Sequence, residues 1–276
     1  MPGNIDPQVV KDFGTQWQQF DQSELSVEEL TATFNRYFAI FPWAELPSNA
    51  KGFDLGCGSG RWAKLVAQRV GELHCIDPSA AALDVAKKNL SGLTNCRFHH
   101  AGADNIPLED GSMDFGYSLG VLHHIPDTER GVETCAAKLK RGAPLLLYLY
   151  YAFDNRPQWF IAIWRIAEYA RRILSQSPYP IKYGASQLIA TAVYLPLARL
   201  SLLLEALGLN VHNVPLSSYS NKSYYTMRTD ALDRFGTRLE RRFTRQQITE
   251  MMQRAGLINI QFCDQAPYWC AIGYRG

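Results

Sequence analysis

The apolar positions change period along the chain, and the changes divide it. Between residues 52 and 151, short apolar runs near 52–56, 72–77, 96–99, 113–119 and 143–151 alternate with helical patterns near 60–69, 79–90 and 127–139. Runs of that length suit strands buried on both faces, and the alternation predicts a parallel sheet covered by helices. Upstream, Leu30, Phe34, Tyr37 and Phe41 form one helical stripe. Ser26 is placed to cap that helix, with Glu29 completing a capping box, and Pro42 and Pro47 end it. Residues 1–26 are polar, with Phe13, Trp17 and Phe20 at near-helical spacing. They fit either a tail anchored by aromatics or a segment that closes over a site.

From Ala152 the pattern breaks. Residues 157–174 read as a helix with Trp159, Ile163, Ile166 and Ala170 inward, opened by Pro157. Pro178 and Pro180 mark a break, and Ser186–Ala206 form a second apolar helical region, kinked at Pro196. Arg199 interrupts it, and the stretch before that arginine is too short for a membrane span. A helical cap is expected, whose leucine-rich surface is buried on the core, in a homodimer, against lipid in a peripheral contact, or around an apolar substrate. Residues 212–230, rich in serine and tyrosine, are expected to return the chain over the active face. Thr244 and Gln247 suit a capping box for a helix from Arg245 to Ala255 that Gly256 ends. Ile258–Phe262 and Tyr268–Tyr274 then read as an antiparallel hairpin at the sheet edge. The fold class expected is α/β: a doubly wound, seven-stranded, mostly parallel sheet with a helical cap inserted between strand 5 and the last helix. The organisation expected is a helical segment over 1–50, an α/β core over 51–151, a cap over 152–242 and the rest of the core over 243–276.

Composition narrows the function without naming it. At 276 residues, 47% apolar and 20% charged, the chain is an ordinary globule. Its 28 basic and 26 acidic residues leave a net charge of +2, so no overall field gathers a polyanion. One run is basic: Arg234, Arg238, Arg241, Arg242 and Arg245. Six cysteines show neither C-x-x-C nor metal-ligand spacing with histidine, so no metal site and no disulfide framework is expected. The first residues lack an apolar signal segment, which makes the cytoplasm the default location.

The chemistry starts at Gly52-Phe53-Asp54-Leu55-Gly56-Cys57-Gly58-Ser59-Gly60-Arg61-Trp62. A strand there runs into a glycine loop and then a helix, an arrangement that lets backbone approach a ligand. Arg61 stands where a dinucleotide fingerprint places its third glycine, and no P-loop occurs. A second strand ends at Asp77-Pro78, where a carboxylate can accept two hydrogen bonds from a ribose diol. The pattern points to a nucleoside.

Four pieces in order then carry a resemblance: Asp54 to Gly60; Asp77-Pro78-Ser79; Gly102-Ala103-Asp104 with Ile106-Pro107-Leu108; and Asp114 to Asp127, which includes Leu119, His123 and His124. On them the chain resembles the class I, Rossmann-like S-adenosylmethionine-dependent methyltransferases. The resemblance implies S-adenosyl-L-methionine as cofactor and S-adenosyl-L-homocysteine as product. It implies that Asp54, Gly56, Cys57, Gly58, Ser59 and Gly60 line the methionyl side. It further implies that Asp77 with Pro78 holds the ribose, that Ala103 and Asp104 meet adenine, and that Leu119 closes the cofactor side of the fourth strand.

On the acceptor side the expectations are looser. Methyl transfer needs alignment and desolvation more than a set of catalytic groups. His124 is taken as the general base, with His123 beside it as a substrate contact. Tyr151, Asp154 and Arg156 follow the fifth strand, where acceptor loops emerge. Tyr225 and Arg228 form a candidate clamp for an anionic or polar group, unless Arg228 pairs with Asp230 or Asp233 to knit the cap. Trp17 is placed over the substrate. The function expected is methyl transfer to oxygen or nitrogen of a small polar molecule. The alternatives are an isoprenoid or lipid-like acceptor, nucleic acid approached through the arginine run, and a non-enzymatic cofactor sensor or assembly subunit. Near-balanced charge and the lack of an Asn-Pro-Pro-Tyr-like element argue against nucleic acid.

Overall fold

Each strand of the central sheet has five or six residues, buried almost throughout in Lys51–Leu55, Phe115–Leu119 and Pro144–Tyr148 and partly exposed in the edge strands Cys96–His100 and Leu257–Phe262. In the computed structural model, which describes residues 3–276, strands β1 (Lys51–Leu55), β2 (Glu72–Asp77), β3 (Cys96–His100), β4 (Phe115–Leu119) and β5 (Pro144–Tyr148) pair in parallel. Strands β6 (Leu257–Phe262) and β7 (Cys270–Arg275) add an antiparallel hairpin. The order is β3-β2-β1-β4-β5-β7-β6, with β7 antiparallel to both of its neighbours. This is the doubly wound, seven-stranded, mostly parallel sheet that the alternation predicts. Strand order reverses between β1 and β4, which opens a crevice at their carboxyl ends.

Two cores flank the sheet because successive side chains point to opposite faces. Leu145 and Leu147 of β5 join one core with α5 (Thr128–Lys138) and α10 (Arg245–Arg254), while Leu146 joins the other with α3 (Ala63–Val66) and α4 (Ala80–Asn89). Each such leucine contributes roughly 1.5–3 kcal/mol relative to an exposed position. Helix starts follow their caps. Ser79 accepts from Ala82 N, Asp127 from Arg130 N, and Thr244 and Gln247 form the expected capping box. β5 is shorter than the apolar run suggested, ending at Tyr148, after which Tyr150 and Ala152 pair with Phe243.

The chain forms two compact units. The first holds the residues up to Gln22, Leu30–Ala152 and Leu239–Gly276, and so contains the whole sheet. The second holds Ser23–Glu29 and Phe153–Arg238. Within it, Ser26 Oγ accepts from Glu29 N at the start of α2 (Val27–Tyr37), as the capping box requires. The Glu29 carboxylate turns to Ser223 N and Thr226 Oγ1 instead of closing that box.

The helices of the second unit are α6 (Gln158–Leu174), α7 (Tyr179–Ile189), α8 (Leu195–Ala206) and α9 (Tyr224–Gly236). The face of α6 expected inward is outward: Trp159 and Ile163 are each 50% exposed, Ile166 is 74% exposed, and Ala170 is exposed too. Period does choose an apolar face in this amphipathic helix, and that face is the one turned outward. A polar group anchors the inward side. Arg171, buried, takes Glu168 in two hydrogen bonds of 2.6 and 2.7 Å and donates to Thr237 O at 2.6 Å.

A second correction concerns α7 and α8. They are one continuous helix from Tyr179 to Ala206, starting well before Ser186. Pro196 is accommodated by a π turn over Ala190–Tyr194, which re-registers the backbone one turn upstream of the missing N–H. At 28 residues, with a mean hydropathy of 1.6 in its most apolar window and 22% of that window buried, it is long and apolar enough to cross a membrane by length and composition alone. The stretch before Arg199 is thus longer than the sequence suggested.

Candidate functional site

The loop after β1 is shaped by three glycines at φ +77°, +53° and +77°, Gly56, Gly58 and Gly60. That left-handed backbone turns its amides toward the end of β2. Gly56 N and Cys57 N both donate to Ile76 O, at 2.7 and 3.1 Å. Gly58 N donates to Asp77 Oδ2 at 2.9 Å, and Ser79 N to Asp77 Oδ1 at 2.8 Å. Asp77 therefore ties the glycine loop to the start of α4. Burial pushes its carboxyl up to about 6, against the pull of the Ser79 and Gly58 amides. Each oxygen retains lone-pair capacity for a further donor.

Asp54, on β1 beneath the loop, is buried, and desolvation pushes its carboxyl up to about 8, opposed by the Tyr117 hydroxyl and reinforced by Asp77. Asp54 Oδ2 and Ser59 Oγ are buried and have no hydrogen-bond partner among the described residues. Buried acceptors left over beside a glycine loop are what a ligand with donor groups would satisfy. S-adenosylmethionine carries an ammonium and two ribose hydroxyls, so Asp54, Ser59 and Asp77 fit it chemically.

The adenine-side candidates lie at the next strand ends. Ala103 is buried, and Asp104 Oδ2 accepts from Asn4 N at 3.0 Å. Pro78 O is bonded to His100 Nε2 at 2.9 Å, and Leu119 is buried at the end of β4.

The N-terminal segment runs across these strand ends. Helix α1 (Pro7–Gln19), capped by Asp6, packs on α4. Trp17 sits against Gly58, Gly14 against Ser79, and Phe13 against the His124 ring at 5.1 Å. Asn4 is bonded in both directions to the Asp127 backbone, each at 2.7 Å. Trp17, expected over the substrate, is placed on the glycine loop.

After β4 the two histidines part roles. His123 is fully buried, its ring 3.9 Å from that of Tyr150, and neither ring nitrogen has a hydrogen-bond partner among the described residues. Burial, followed by the charges of His124 and Arg242, holds it well below the usual imidazole range, so it is neutral. Such a ring packs, and the His124 Nε2 beside it is buried as well. His124 Nδ1 is 2.7 Å from Leu239 O. A carbonyl only accepts, so Nδ1 carries the proton and the neutral ring keeps its lone pair on Nε2, the tautomer a base needs.

Two residues near them were hidden in the sequence. Arg242 lies 2.6 Å from buried Glu240 Oε1, 5.1 Å from the Tyr150 ring centre, and donates to Tyr151 O at 3.3 Å. They read as part of a charge run, yet their i, i+2 spacing in an extended segment places them on one side. Tyr151 itself turns its ring toward Tyr268 and Trp269, at 5.4 and 6.3 Å, and joins the core rather than a pocket mouth.

The remaining acceptor candidates belong to the second unit and do not gather there. Asp154 is exposed. Arg156 donates to His212 O and to Asn213 Oδ1. Tyr225 is buried on α9. Arg228 donates to Gln187 Oε1 at 2.5 Å and Tyr183 Oη at 3.0 Å, so it knits α9 to α7 through partners other than the expected Asp230 and Asp233. Among the described residues no cluster of His, Cys, Asp or Glu could hold a metal ion, and all six cysteines are free and buried.

Comparison with known proteins agrees with this geometry. Residues 53–147 match the family described as "Methyltransferase domain". A phosphoethanolamine N-methyltransferase 2 from Caenorhabditis elegans is 33% identical over 100 residues, 35% of this chain and 23% of that protein. A ubiquinone biosynthesis O-methyltransferase from Xanthomonas axonopodis pv. citri is 26% identical over 138 residues, 49% of this chain and 56% of that protein. The chain thus spans only part of the curated relatives it matches, from 23% to 63% of the length of the first five. A methyltransferase structure from Bacillus halodurans superposes with a TM-score of 0.52 at 16% identity, over 83% of this chain and 71% of that one, which supports the fold. The chain carries a class I, Rossmann-like S-adenosylmethionine-dependent methyltransferase domain.

Proposed function

We propose that the protein transfers the methyl group of S-adenosylmethionine to an oxygen or nitrogen of a small-molecule acceptor. The observation that carries the reading is the tie between Gly58 N and Asp77 Oδ2, with the spare buried acceptors of Asp54 and Ser59 beside it. When bound, the cofactor supplies an electrophilic sulfonium methyl. Asp77 takes the ribose hydroxyls, Asp54 faces the methionyl end, and Ala103 with Asp104 borders adenine. The buried surroundings of β1 and β4 exclude water, which strengthens these contacts and lets alignment carry the rate. His124, with its lone pair on Nε2, is the group we assign to proton removal from the acceptor. His123 and the Arg242–Glu240 pair hold its surroundings.

A compact polar acceptor is the first reading. A lipid-like or isoprenoid acceptor is the second, favoured by the exposed leucines of the second unit and by the ubiquinone-biosynthesis relative. Arg228 and Arg156 already serve partners within their own unit, which weakens the polar clamp. The arginine run offers little to nucleic acid, since Arg242 is paired with Glu240 and Arg245 with Asp264. The test is to incubate the purified protein with methyl-labelled S-adenosylmethionine and a cell extract separated into polar metabolites, lipids and nucleic acids. Label in the polar or the lipid fraction chooses between the two readings. Label in nucleic acid, or in no fraction despite cofactor binding, contradicts both and favours the nucleic-acid or the sensor alternative.

A further inference from the structure

The second unit is apolar where a soluble helical unit is polar. Helix α6 exposes Trp159, Ile163, Ile166, Tyr169 and Ile173, a spacing that puts all five on one face. The helix from Tyr179 to Ala206 carries the inversion further. The side chains it buries are Lys182, Ser186, Ala190, Tyr194, Ala198 and Ser201, while Leu188, Leu200, Leu202 and Leu203 stand outward. A helix at a water-facing surface does the opposite, turning its leucines in and its lysines and serines out.

The charges beside this surface are mostly basic, with Glu205 near the end of the long helix as an exposed exception. Residues 158–206 hold five basic and two acidic side chains. Of the basic ones Arg165, Arg172 and Arg199 are exposed, and Glu168 is consumed by Arg171 and Arg172. An apolar stripe carrying a Trp and a Tyr and bordered by arginines matches the water–lipid boundary, where amphipathic rings and cations face headgroups.

We propose that the second unit docks on an anionic lipid bilayer, with the Trp159–Ile173 stripe of α6 lying in the plane of the headgroups. Four charged residues within α6 keep it on the surface rather than across it. The buried face of α7–α8, built of small and polar side chains with Tyr194, stays against its own unit while its leucines add to the apolar footprint. Self-association through the same face fits less well, because two-fold pairing would set Arg165 and Arg172 against a second positive patch. The proposal stands independently of the acceptor.

The test is flotation of the full-length protein with vesicles of phosphatidylcholine alone or mixed with phosphatidylglycerol, beside sedimentation equilibrium without lipid. The wild type is expected to float with the anionic vesicles and to be released by salt. Ile166→Glu, at an exposed position, should weaken partition about tenfold or more, and Arg165→Glu with Arg172→Glu should do the same for anionic vesicles. Unchanged thermal melting by circular dichroism confirms that each variant is folded. Wild-type protein that stays with the soluble fraction, or an Ile166→Glu variant that floats equally well, overturns the proposal. A wild-type dimer that Ile166→Glu dissociates, with no vesicle binding, overturns it in favour of an interface between copies.

Discussion

The indole Nε1 of Trp17 stands 2.8 Å from the point that a Cβ on Gly58 would occupy. Helix α1 and the glycine loop are therefore fitted to each other, and the loop cannot carry a side chain there without moving the helix. The same segment meets Ser79, Asp104 and His124, so it covers the strand ends where a nucleoside ligand would lie. Trp17→Ala should speed release of bound cofactor by about tenfold, the equivalent of about 1.4 kcal/mol. Release of labelled S-adenosylhomocysteine after dilution measures it, and an unchanged rate would mean that α1 does not gate the site.

The buried carboxyl of Asp54 predicts an unusual pH dependence. Its pKa is raised to about 8 in the fold against an ordinary value near 3.8 in the unfolded chain. Between those values the folded protein holds a proton that the unfolded chain has lost, so stability is full at low pH and declines as pH rises toward 8, by at most about 1.4 kcal/mol per pH unit. Melting of the cofactor-free protein from pH 5 to pH 8 should show that decline, and Asp54→Asn should remove it above pH 6, below which Asp77, raised to about 6, still contributes. A wild-type profile that rises over the same range contradicts the assignment.

The two adjacent histidines should separate cleanly. His123→Phe removes a buried ring whose nitrogens have no partner among the described residues, so it should leave stability unchanged or raise it by up to about 1 kcal/mol. His124→Ala should lower kcat by roughly 10²-fold or more with cofactor affinity intact. Should the loss stay within tenfold, His124 is a packing residue and alignment alone carries the reaction.

Arg228→Ala should act on the second unit rather than on acceptor recognition. It leaves Gln187 and Tyr183 without their donor and is expected to cost roughly 1–3 kcal/mol in urea unfolding. If KM for the acceptor rises with stability unchanged, the clamp reading of Arg228 is restored.

The first, second and fourth strands were legible because each is followed by a chemical signal: glycines after Leu55, an acid at Asp77, histidines after Leu119. The candidate cofactor site was legible for the same reason, since backbone amides and acids gather there at strand ends. The second unit was not. In α6 the amphipathic pattern marks Trp159, Ile163 and Ile166 as an apolar face, yet that face is exposed, and the inward side is anchored by Arg171, whose partner Thr237 O lies outside the helix. The near-helical spacing of Phe13, Trp17 and Phe20 fits a segment that closes over a site, but only the fold shows that Trp17 meets Gly58. Glu240 and Arg242 stayed hidden in a charge run because pairing across two residues needs an extended backbone that no local residue announces.

The account rests on Asp77 gripping a nucleoside cofactor while it clamps the loop. Titration calorimetry of S-adenosylhomocysteine into the wild type and into Asp77→Ala tests that most directly. The wild type should bind, and Asp77→Ala should bind about 5- to 150-fold more weakly, equivalent to about 1–3 kcal/mol of lost hydrogen bonding. Equal affinity in a folded Asp77→Ala protein, or no binding by the wild type, would contradict it.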